Sequence, residues 1–182
     1  MIHELSDVKT TAIGSDTRVW QYSVILEHAR IGNNCNINCH VFIENNVVIG
    51  NNVTVKSGVY VWDGITIEDN VFIGPNVTFT NDKRPRSKQY PESFLRTTIR
   101  RNASIGAASI ILGGIEIGEY VMVGAGSLVT KSIPARALVM GNPATITGWL
   151  NEDGTKMSHD GDHYIDNAEA RWAVKNNNLV QL

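Results

Sequence analysis

The chain carries a six-residue period of apolar positions between Ile13 and Phe79. An α-helix would repeat every 3.6 residues and a β-strand every two, whereas short strands separated by regular corners repeat every six. The pattern therefore predicts an all-β fold, a parallel β-helix of hexapeptide repeats. The repeated positions, none of them polar, are Ile13, Val19, Ile25, Ile31, Ile37, Ile43, Ile49, Val55, Val61, Ile67, Ile73 and Phe79. A second set of small or aliphatic residues follows four positions after each of them up to Val77.

Three hexads close one triangular coil, so residues 18 apart are expected to stack about 4.8 Å apart on successive coils. This rule predicts a polar wall at one corner, with Glu44 and Trp62 on its flank. Carboxylates, amides and an imidazole suit a sugar, although the solvent-facing columns of a β-helix are polar in any case. The wall consists of two neighbouring columns: Glu27, Asn45, Asp63 and Asn81, and beside them His28, Asn46, Gly64 and Asp82.

The repeat stops at residues 80–98, which contain two prolines and no hexad, and it resumes at Ile99. A long excursion from a solenoid is unusual and often functional. Only Glu92 is acidic between Lys83 and Arg101, so the segment predicts a positive patch suited to phosphates, with Arg84 and Arg86 as candidate contacts. A solvated loop that pairs with a neighbouring subunit is the alternative. The basic residues are Lys83, Arg84, Arg86, Lys88, Arg96, Arg100 and Arg101.

The stacking rule extends the polar wall beyond the loop. If Ile99 resumes on the face of Ile67, Gly113 and Gly114 continue the columns. Glycines there would leave room for a ligand and expose backbone N–H groups. Such groups suit the chain of a cofactor or the oxyanion of an acyl transfer.

Composition narrows the class of protein. The 182 residues include 16 basic and 18 acidic ones, so we expect neither a nucleic acid nor a membrane surface as partner. The first residues lack the pattern of a signal peptide, which predicts a cytoplasmic protein. We expect one β-helix domain over residues 1–148, with an extruded loop at 80–98. Cys35 should point inward and Cys39 outward, which argues against a disulfide between them.

The hexad pattern ends near Gly148, and residues 149–182 form a separate tail. Its sequence predicts a turn followed by a short helix over 168–175, with Asp166 as the helix cap. Trp172 and Val174 are expected to pack on the last coil as a lid.

Several long segments resemble the hexapeptide acyltransferases, among them GPNVTFTND at 74–82, IGAASIILGGIEIGEYVMVGAGSLVTKSIP at 105–134 and ALVMGNPA at 137–144. NCNINCHVFIENNVVIG at 34–50, KSGVYVWDGITIEDNVFIGPNVTFTND at 56–82 and RSKQYPESF at 86–94 are similar, more narrowly, to nucleotide-sugar 3-N-acetyltransferases. The nearest branch acts on dTDP-3-amino-3,6-dideoxyhexoses of galacto or gluco configuration, for O-antigen or S-layer glycans. Enzymes for UDP-linked 3-amino sugars and uronates share the scaffold and are the alternative.

This resemblance implies a left-handed β-helix and a homotrimer with active sites between subunits. It also implies acetyl-CoA as the donor, with no metal, and a nucleotide-linked amino sugar as the acceptor. Asn81 matches a sugar-binding position of the family. The family lays the pantetheine arm along backbone amides that match Ala107 and Ala125, and Lys131 is a candidate phosphate contact.

The expected reaction needs a neutral amine, an oxyanion donor and a route for one proton. Asn81, His28 and Asp63 are the candidate catalytic residues, while the family is thought to depend largely on positioning. We assign substrate binding to Glu27, His40, Glu44, Trp62, Asp82, Arg84 and Arg86. Of these, Glu27, Asp82 and His40 are further candidate bases.

Two other functions on the same scaffold are weaker. A γ-class carbonic anhydrase needs three converging histidines, but His28 and His40 lie on different faces with no third nearby. An O-acetyltransferase of a small acceptor normally depends on a loop histidine, and residues 80–98 contain none.

Overall fold

The computed structural model describes residues 1–182 and contains 24 strands and no helix. Three sheets wind around one axis as a left-handed β-helix, which confirms the predicted fold class; their strands are parallel except for Ala144–Trp149, which pairs antiparallel at the end of the third sheet. Sheet 1 contains Asp7–Val8, Val24–Ile25, Phe42–Ile43, Tyr60–Val61, Thr78–Phe79, Ile110–Ile111 and Leu128–Val129. Sheet 2 contains Arg30–Ile31, Val48–Ile49, Ile65–Ile67, Thr97–Ile99 and Glu116–Ile117. Sheet 3 contains Arg18–Val19, Asn36–Ile37, Thr54–Val55, Phe72–Ile73, Ser104–Ile105, Met122–Val123, Ala137–Gly141 and Ala144–Trp149.

The repeated apolar positions fill the axis of the helix. From Val19 to Phe79 every one of them is buried, and Ile13 packs at the open end. The second set is buried as well, including Cys35, while Cys39 is half-buried and both thiols are free. Each such side chain contributes about 1.5–3 kcal/mol by burial, so the ladder of aliphatics holds the coils in register.

Turns at three corners join the sheets. The 1–2 corner includes Glu27–His28, Asn45–Asn46, Asp63–Gly64, Gly113–Gly114 and Lys131–Ser132. The 2–3 corner includes Asn33–Asn34, Asn51–Asn52 and Asp69–Asn70. The 3–1 corner includes Gln21–Tyr22, Cys39–His40, Ser57–Gly58, Pro75–Asn76, Ala107–Ala108 and Ala125–Gly126.

Three corner asparagines and Gly74 serve the coils for different reasons. Asn34, Asn52 and Asn70 adopt positive φ angles of 53°, 57° and 60°, a conformation that asparagine tolerates well. Gly74 does not have a positive φ. A Cβ atom on it would lie 2.7 Å from the carbonyl oxygen of Ile105 on the next coil. This glycine is therefore required for close stacking rather than for a left-handed backbone.

The loop leaves the helix after sheet 1 and returns to sheet 2. Ile67 pairs with Ile99, as the stacking rule predicts. Two arginines of the predicted basic patch lie on a coil of the β-helix and not in the loop. Arg100 contacts Glu68 at 2.8 Å and Glu116 at 2.6 Å, and Arg101 contacts Glu119 at 3.1 Å. Because glutamates neutralise both, the patch is smaller than predicted.

The predicted helix in the tail is wrong. Residues 158–181 form an antiparallel sheet of Ser158–Asp160, His163–Ile165, Arg171–Lys175 and Asn178–Gln181. Asn176 and Asn177 have φ angles of 49° and 61° and make a two-residue turn, so 171–175 pairs as a hairpin strand. Asp166 does accept hydrogen bonds from the N–H groups of Ala168 and Ala170, both at 2.9 Å, but it caps a turn.

The tail covers the last coil through one of the two predicted residues. Trp172 packs on the core and donates its Nε1–H to Asp166 at 2.9 Å. The Arg136 guanidinium lies 5.2 Å from the centre of a Trp172 ring. Val174 is exposed, so its expected packing is wrong. The chain has no helix that could cross a membrane.

Candidate active site

The predicted polar wall lies at the 1–2 corner. Ile25 pairs with Ile43, Ile43 with Val61, and Phe79 with Ile111. Residues two positions later therefore stack in one column: Glu27, Asn45, Asp63, Asn81 and Gly113. The loop begins beside Asn81. The Asn81 carbonyl accepts a hydrogen bond from Leu95 N at 2.9 Å, which holds the far end of the loop against this column.

Three side chains of the column bond to the backbone of a neighbouring coil. Asn45 Oδ1 accepts from His28 N at 3.3 Å, and Asp63 Oδ1 accepts from Asn46 N at 2.6 Å. Asn81 Nδ2 donates to the carbonyl of Asp63 at 3.2 Å. The Oδ2 atom of Asp63 makes no hydrogen bond within the chain. It is the polar atom of this carboxylate that is free to meet a ligand.

The same bonding occurs where no site was predicted. At the 2–3 corner Asn51 Oδ1 accepts from Asn33 N at 2.9 Å, and Asp69 Oδ1 accepts from Asn51 N at 2.6 Å. Bonding between coils is therefore a structural feature of both corners. What distinguishes the 1–2 corner is the surrounding chemistry: the loop, His28, Glu44 and Trp62.

Glu44 and Trp62 hold the polar wall from the side of sheet 1. Glu44 Oε2 accepts a hydrogen bond from Asp63 N at 2.6 Å. Trp62 donates its Nε1–H to the carbonyl of Phe79 at 2.9 Å. Partial burial raises the pKa of Glu44, and the nearby charge of Asp63 adds to this, while the bond from Asp63 N opposes it.

Replacing Glu44 by glutamine should raise the melting temperature near pH 7. A pKa that is higher in the folded than in the unfolded chain means that stability falls as pH rises from about 4.3 through the folded pKa. Glutamine keeps an acceptor for Asp63 N and removes this loss. Thermal unfolding from pH 4 to 8 should show the gain shrinking towards the acid end. Glu27→Gln, at an exposed position of the same corner, controls for the loss of one negative charge.

The structure gives Gly113 and Gly114 another role than the predicted one. Gly113 N donates to Thr80 Oγ1 and Gly114 N to Thr97 Oγ1, both at 3.0 Å. The Leu95 side chain fills the space beside both glycines. Neither N–H is free for a cofactor or an oxyanion, so these glycines serve the closure of the loop.

The loop keeps the basic side chains near the wall. Asp82 Oδ1 accepts from Arg84 N at 2.8 Å, so this carboxylate caps a turn at the start of the loop. Lys83, Arg84 and Arg86 are exposed and form no ion pair. They remain available to an anionic ligand. Below the loop His28 borders a depression of about 260 Å³ together with Arg30, Asn45, Asn46 and Val47.

The remaining candidates divide between two corners of the β-helix. Ala107 and Ala125 lie at the 3–1 corner, and neither N–H is donated within the chain, so both amides are free. His40 lies at this corner too, with its ring 5.3 Å from that of Tyr22. Lys131 lies at the 1–2 corner. Sheet 1 separates the two corners, so one chain does not bring His40, Ala107 and Ala125 to the polar wall.

The apolar outer face of sheet 1 was not predicted from the sequence. The residue before each buried aliphatic points outward there, and these residues are mostly apolar: Val24, Phe42, Tyr60, Thr78, Ile110 and Leu128. The Phe42 ring lies 6.2 Å from that of Tyr60 and 5.7 Å from that of Trp62. Tyr60 is 51% exposed. The signal was present at every third hexad, and it becomes visible once the hexads are sorted by sheet.

No group of three or more His, Cys, Asp and Glu side chains is arranged to hold a metal ion. The chemistry of the two corners is instead that of polar side chains, free amides and a basic loop.

Solved structures with this architecture include two acyltransferases. A hexapeptide-repeat acetyltransferase from Vibrio cholerae, complexed with acetyl coenzyme A, is 26% identical, with a TM-score of 0.56 over 76% of this chain and 70% of that one. A UDP-N-acetylglucosamine acyltransferase from Bacteroides fragilis is 21% identical, with a TM-score of 0.67 over 81% of this chain and 60% of that one. The second likeness supports the fold alone.

A relative with a similar amino-acid sequence covers most of the chain. The dTDP-3-amino-3,6-dideoxy-alpha-D-galactopyranose 3-N-acetyltransferase of Aneurinibacillus thermoaerophilus is 58% identical over 166 residues, which are 91% of this chain and 84% of that protein. The family of bacterial transferase hexapeptide proteins (six repeats) matches residues 10–45, 46–81 and 96–131, on both sides of the loop. The chain therefore belongs to the bacterial hexapeptide transferase family.

Proposed function

We propose that this protein transfers the acetyl group of acetyl-CoA to the 3-amino group of dTDP-3-amino-3,6-dideoxy-α-D-galactopyranose. The observation that carries the proposal is the 58% identity to an enzyme of this name, which extends over 91% of the chain. The aligned length has to include nearly the whole β-helix, and with it both corners described above.

The division of the candidates between two corners supports an active site shared by two subunits. In a ring of subunits related by rotation, one edge of each subunit contacts a different edge of the next subunit, at the same height along the rotation axis. The 3–1 corner of one subunit would then face the 1–2 corner of its neighbour. Sheet 1 would turn towards the rotation axis, which suits its apolar outer face. A homotrimer of this kind brings the free amides of Ala107 and Ala125 to the polar wall.

The roles of the residues follow from this arrangement. The pantetheine arm lies along the Ala107 and Ala125 amides, and Lys131 contacts a phosphate of the donor. The amino sugar lies at Asp63 and Asn81, where Asp63 Oδ2 orients the amine. Its diphosphate is nearer to the exposed Arg84 and Arg86, because opposite charges attract.

The reaction forms a C–N bond, breaks the C–S bond and moves one proton from nitrogen to sulfur. The lone pair of the neutral amine attacks the thioester carbon, and a tetrahedral oxyanion forms, stabilised by backbone N–H groups. The C–S bond then breaks, and the proton released by nitrogen ends on the sulfur of coenzyme A. His28 lies in the column next to that of Asp63, at the same corner, and is the candidate for carrying this proton from nitrogen to sulfur.

A second candidate acceptor is a UDP-linked 2-acetamido-3-amino sugar or uronate. The basic loop and the polar wall suit any nucleoside diphosphate sugar, so these features do not select the base. Transfer to a hydroxyl group is disfavoured, because residues 80–98 contain no histidine that could activate it.

A thiol-release assay tests the proposal. With acetyl-CoA as donor, we expect rapid release of free thiol with dTDP-3-amino-3,6-dideoxygalactose and slower release with the gluco epimer. UDP-2-acetamido-3-amino sugars should react at least tenfold more slowly, and dTDP-6-deoxygalactose, which lacks the amine, should not react. A preference for the UDP sugars would reassign the acceptor. Failure with every amino sugar would refute the N-acetyltransferase.

A further inference from the structure

We propose that Glu44 is a positioning residue, which orients the carboxylate of Asp63 by holding its backbone N–H. The inference rests on the proposed function, in which Asp63 meets the amine of the acceptor. It differs from the sequence-based expectation, in which Glu44 contacts the substrate.

Residue 63 is held at three points. Its N–H donates to Glu44 Oε2 at 2.6 Å, and its carbonyl accepts from Asn81 Nδ2 at 3.2 Å. Its Oδ1 accepts from Asn46 N at 2.6 Å. With the two ends of the residue and one carboxylate oxygen fixed, the direction of Oδ2 is fixed as well. Two of these three contacts, those made by Glu44 Oε2 and by Asp63 Oδ1, join a carboxylate to a backbone N–H, and such bonds are among the stronger ones.

A glutamate is unusual at position 44. None of the equivalent residues on the other coils of sheet 1 is acidic: Lys9, Leu26, Trp62, Thr80, Leu112 and Thr130. Where the loop begins, Thr80 Oγ1 accepts the equivalent hydrogen bond at 3.0 Å, from the N–H of Gly113 on the coil that follows the loop. A neutral hydroxyl can therefore satisfy this backbone N–H. The fold does not require a carboxylate here.

The carboxylate also has a cost. Glu44 is half-buried beside Trp62, and burial disfavours its charged form. Leu26 on the coil before offers no polar contact to offset this. A costly group at a position that helps to fix Asp63 is what a site needs when a side chain must be held in a single direction. Thr80, by contrast, holds the N–H of the first of two corner glycines, Gly113 and Gly114, which present no side chain to orient.

Glu44→Leu and Glu44→Gln test the proposal. Leucine removes the acceptor, so we expect kcat with the dTDP amino sugar to fall at least 30-fold, with little change in KM for acetyl-CoA. Glutamine keeps an acceptor at the same distance, so it should retain at least a third of the wild-type kcat. If Glu44→Gln is as inactive as Glu44→Leu, an acceptor for the N–H of Asp63 does not sustain activity and the positioning role is refuted.

A double-mutant cycle separates positioning from general stabilisation. In an Asp63→Asn background, Glu44→Leu should lower kcat by less than twofold, because it acts through the carboxylate that is already lost. An unchanged 30-fold loss in that background would overturn the proposal.

An activity-independent measurement completes the test. In wild-type protein the amide signal of residue 63 should shift as Glu44 titrates, and in Glu44→Leu this shift should disappear. An amide that does not respond to Glu44 refutes the hydrogen bond on which the proposal rests. If the amide responds but no amino sugar is acetylated by the wild type, the proposed function has failed and the hydrogen bond has not.

Discussion

Asp63→Asn should lower kcat about 100-fold while the protein remains folded, in the range expected for a positioned carboxylate that acts on a reacting amine. The asparagine Oδ1 can still accept from Asn46 N, as the asparagine at position 45 does from His28 N. Only the charge and the free Oδ2 are lost. Steady-state kinetics with the dTDP amino sugar and thermal unfolding, measured on one preparation, give both quantities.

The 2–3 corner provides a matched control. Asp69 Oδ1 accepts from Asn51 N at 2.6 Å, the same bond at the same distance as that from Asn46 N to Asp63. Asp69→Asn therefore makes the same chemical change on the same scaffold, away from the proposed site. We expect the two variants to have similar melting temperatures and Asp69→Asn to keep wild-type kcat. Equal losses of activity in both would show that Asp63 serves only the fold.

Mixing two inactive variants should restore activity if each site takes one corner from each of two subunits. Ala125→Trp fills the 3–1 corner and Asp63→Asn disables the 1–2 corner, so each protein alone should be nearly inactive. In randomly mixed trimers about a quarter of the sites combine an intact 3–1 corner with an intact 1–2 corner. Two tags and sequential purification remove the homotrimers. Each mixed trimer then has one intact site of three, so the kcat of the mixed trimers should approach about a third of the wild-type value.

The control for this experiment uses two variants of one corner. A mixture of Asp63→Asn with Asn81→Ala contains no subunit with an intact 1–2 corner, so it should stay inactive. Mixed Asp63→Asn and Ala125→Trp oligomers that remain as inactive as their parents would contradict a shared site. Recovery in both mixtures would show that the variants repair each other by another route.

The sequence predicted the repeat and most of its consequences for local position. Six-residue spacing and stacking at 18 residues placed Asp63 under Asn81 and Ile99 against Ile67, as the structure confirms. This worked because the coil is a one-dimensional lattice, in which the position of a residue follows from its number. The assignment of Cys35 to the interior and of Cys39 to the outside has the same origin.

Prediction failed where contacts depend on segments outside the repeat. Gly113 and Gly114 looked like space for a ligand, but Leu95 fills that space from the far end of the loop. The helix predicted over 168–175 looked favourable by local propensity. The turn at Asn176 and Asn177 supplied a partner strand, and pairing with that strand outweighed a weak helical preference.

Spacing along the chain is enough to define the β-helix, its core and the polar column. The packing of the folded chain sets which amides remain free, which arginines are neutralised and which corner each candidate occupies. Those properties depend on what approaches a residue from elsewhere in the fold, and the loop and the tail meet the coils at distances that no repeat encodes. The division of the site between two corners also depends on the closed fold. Ala125 and Asp63 lie at opposite edges of sheet 1 only once the three sheets have closed around one axis.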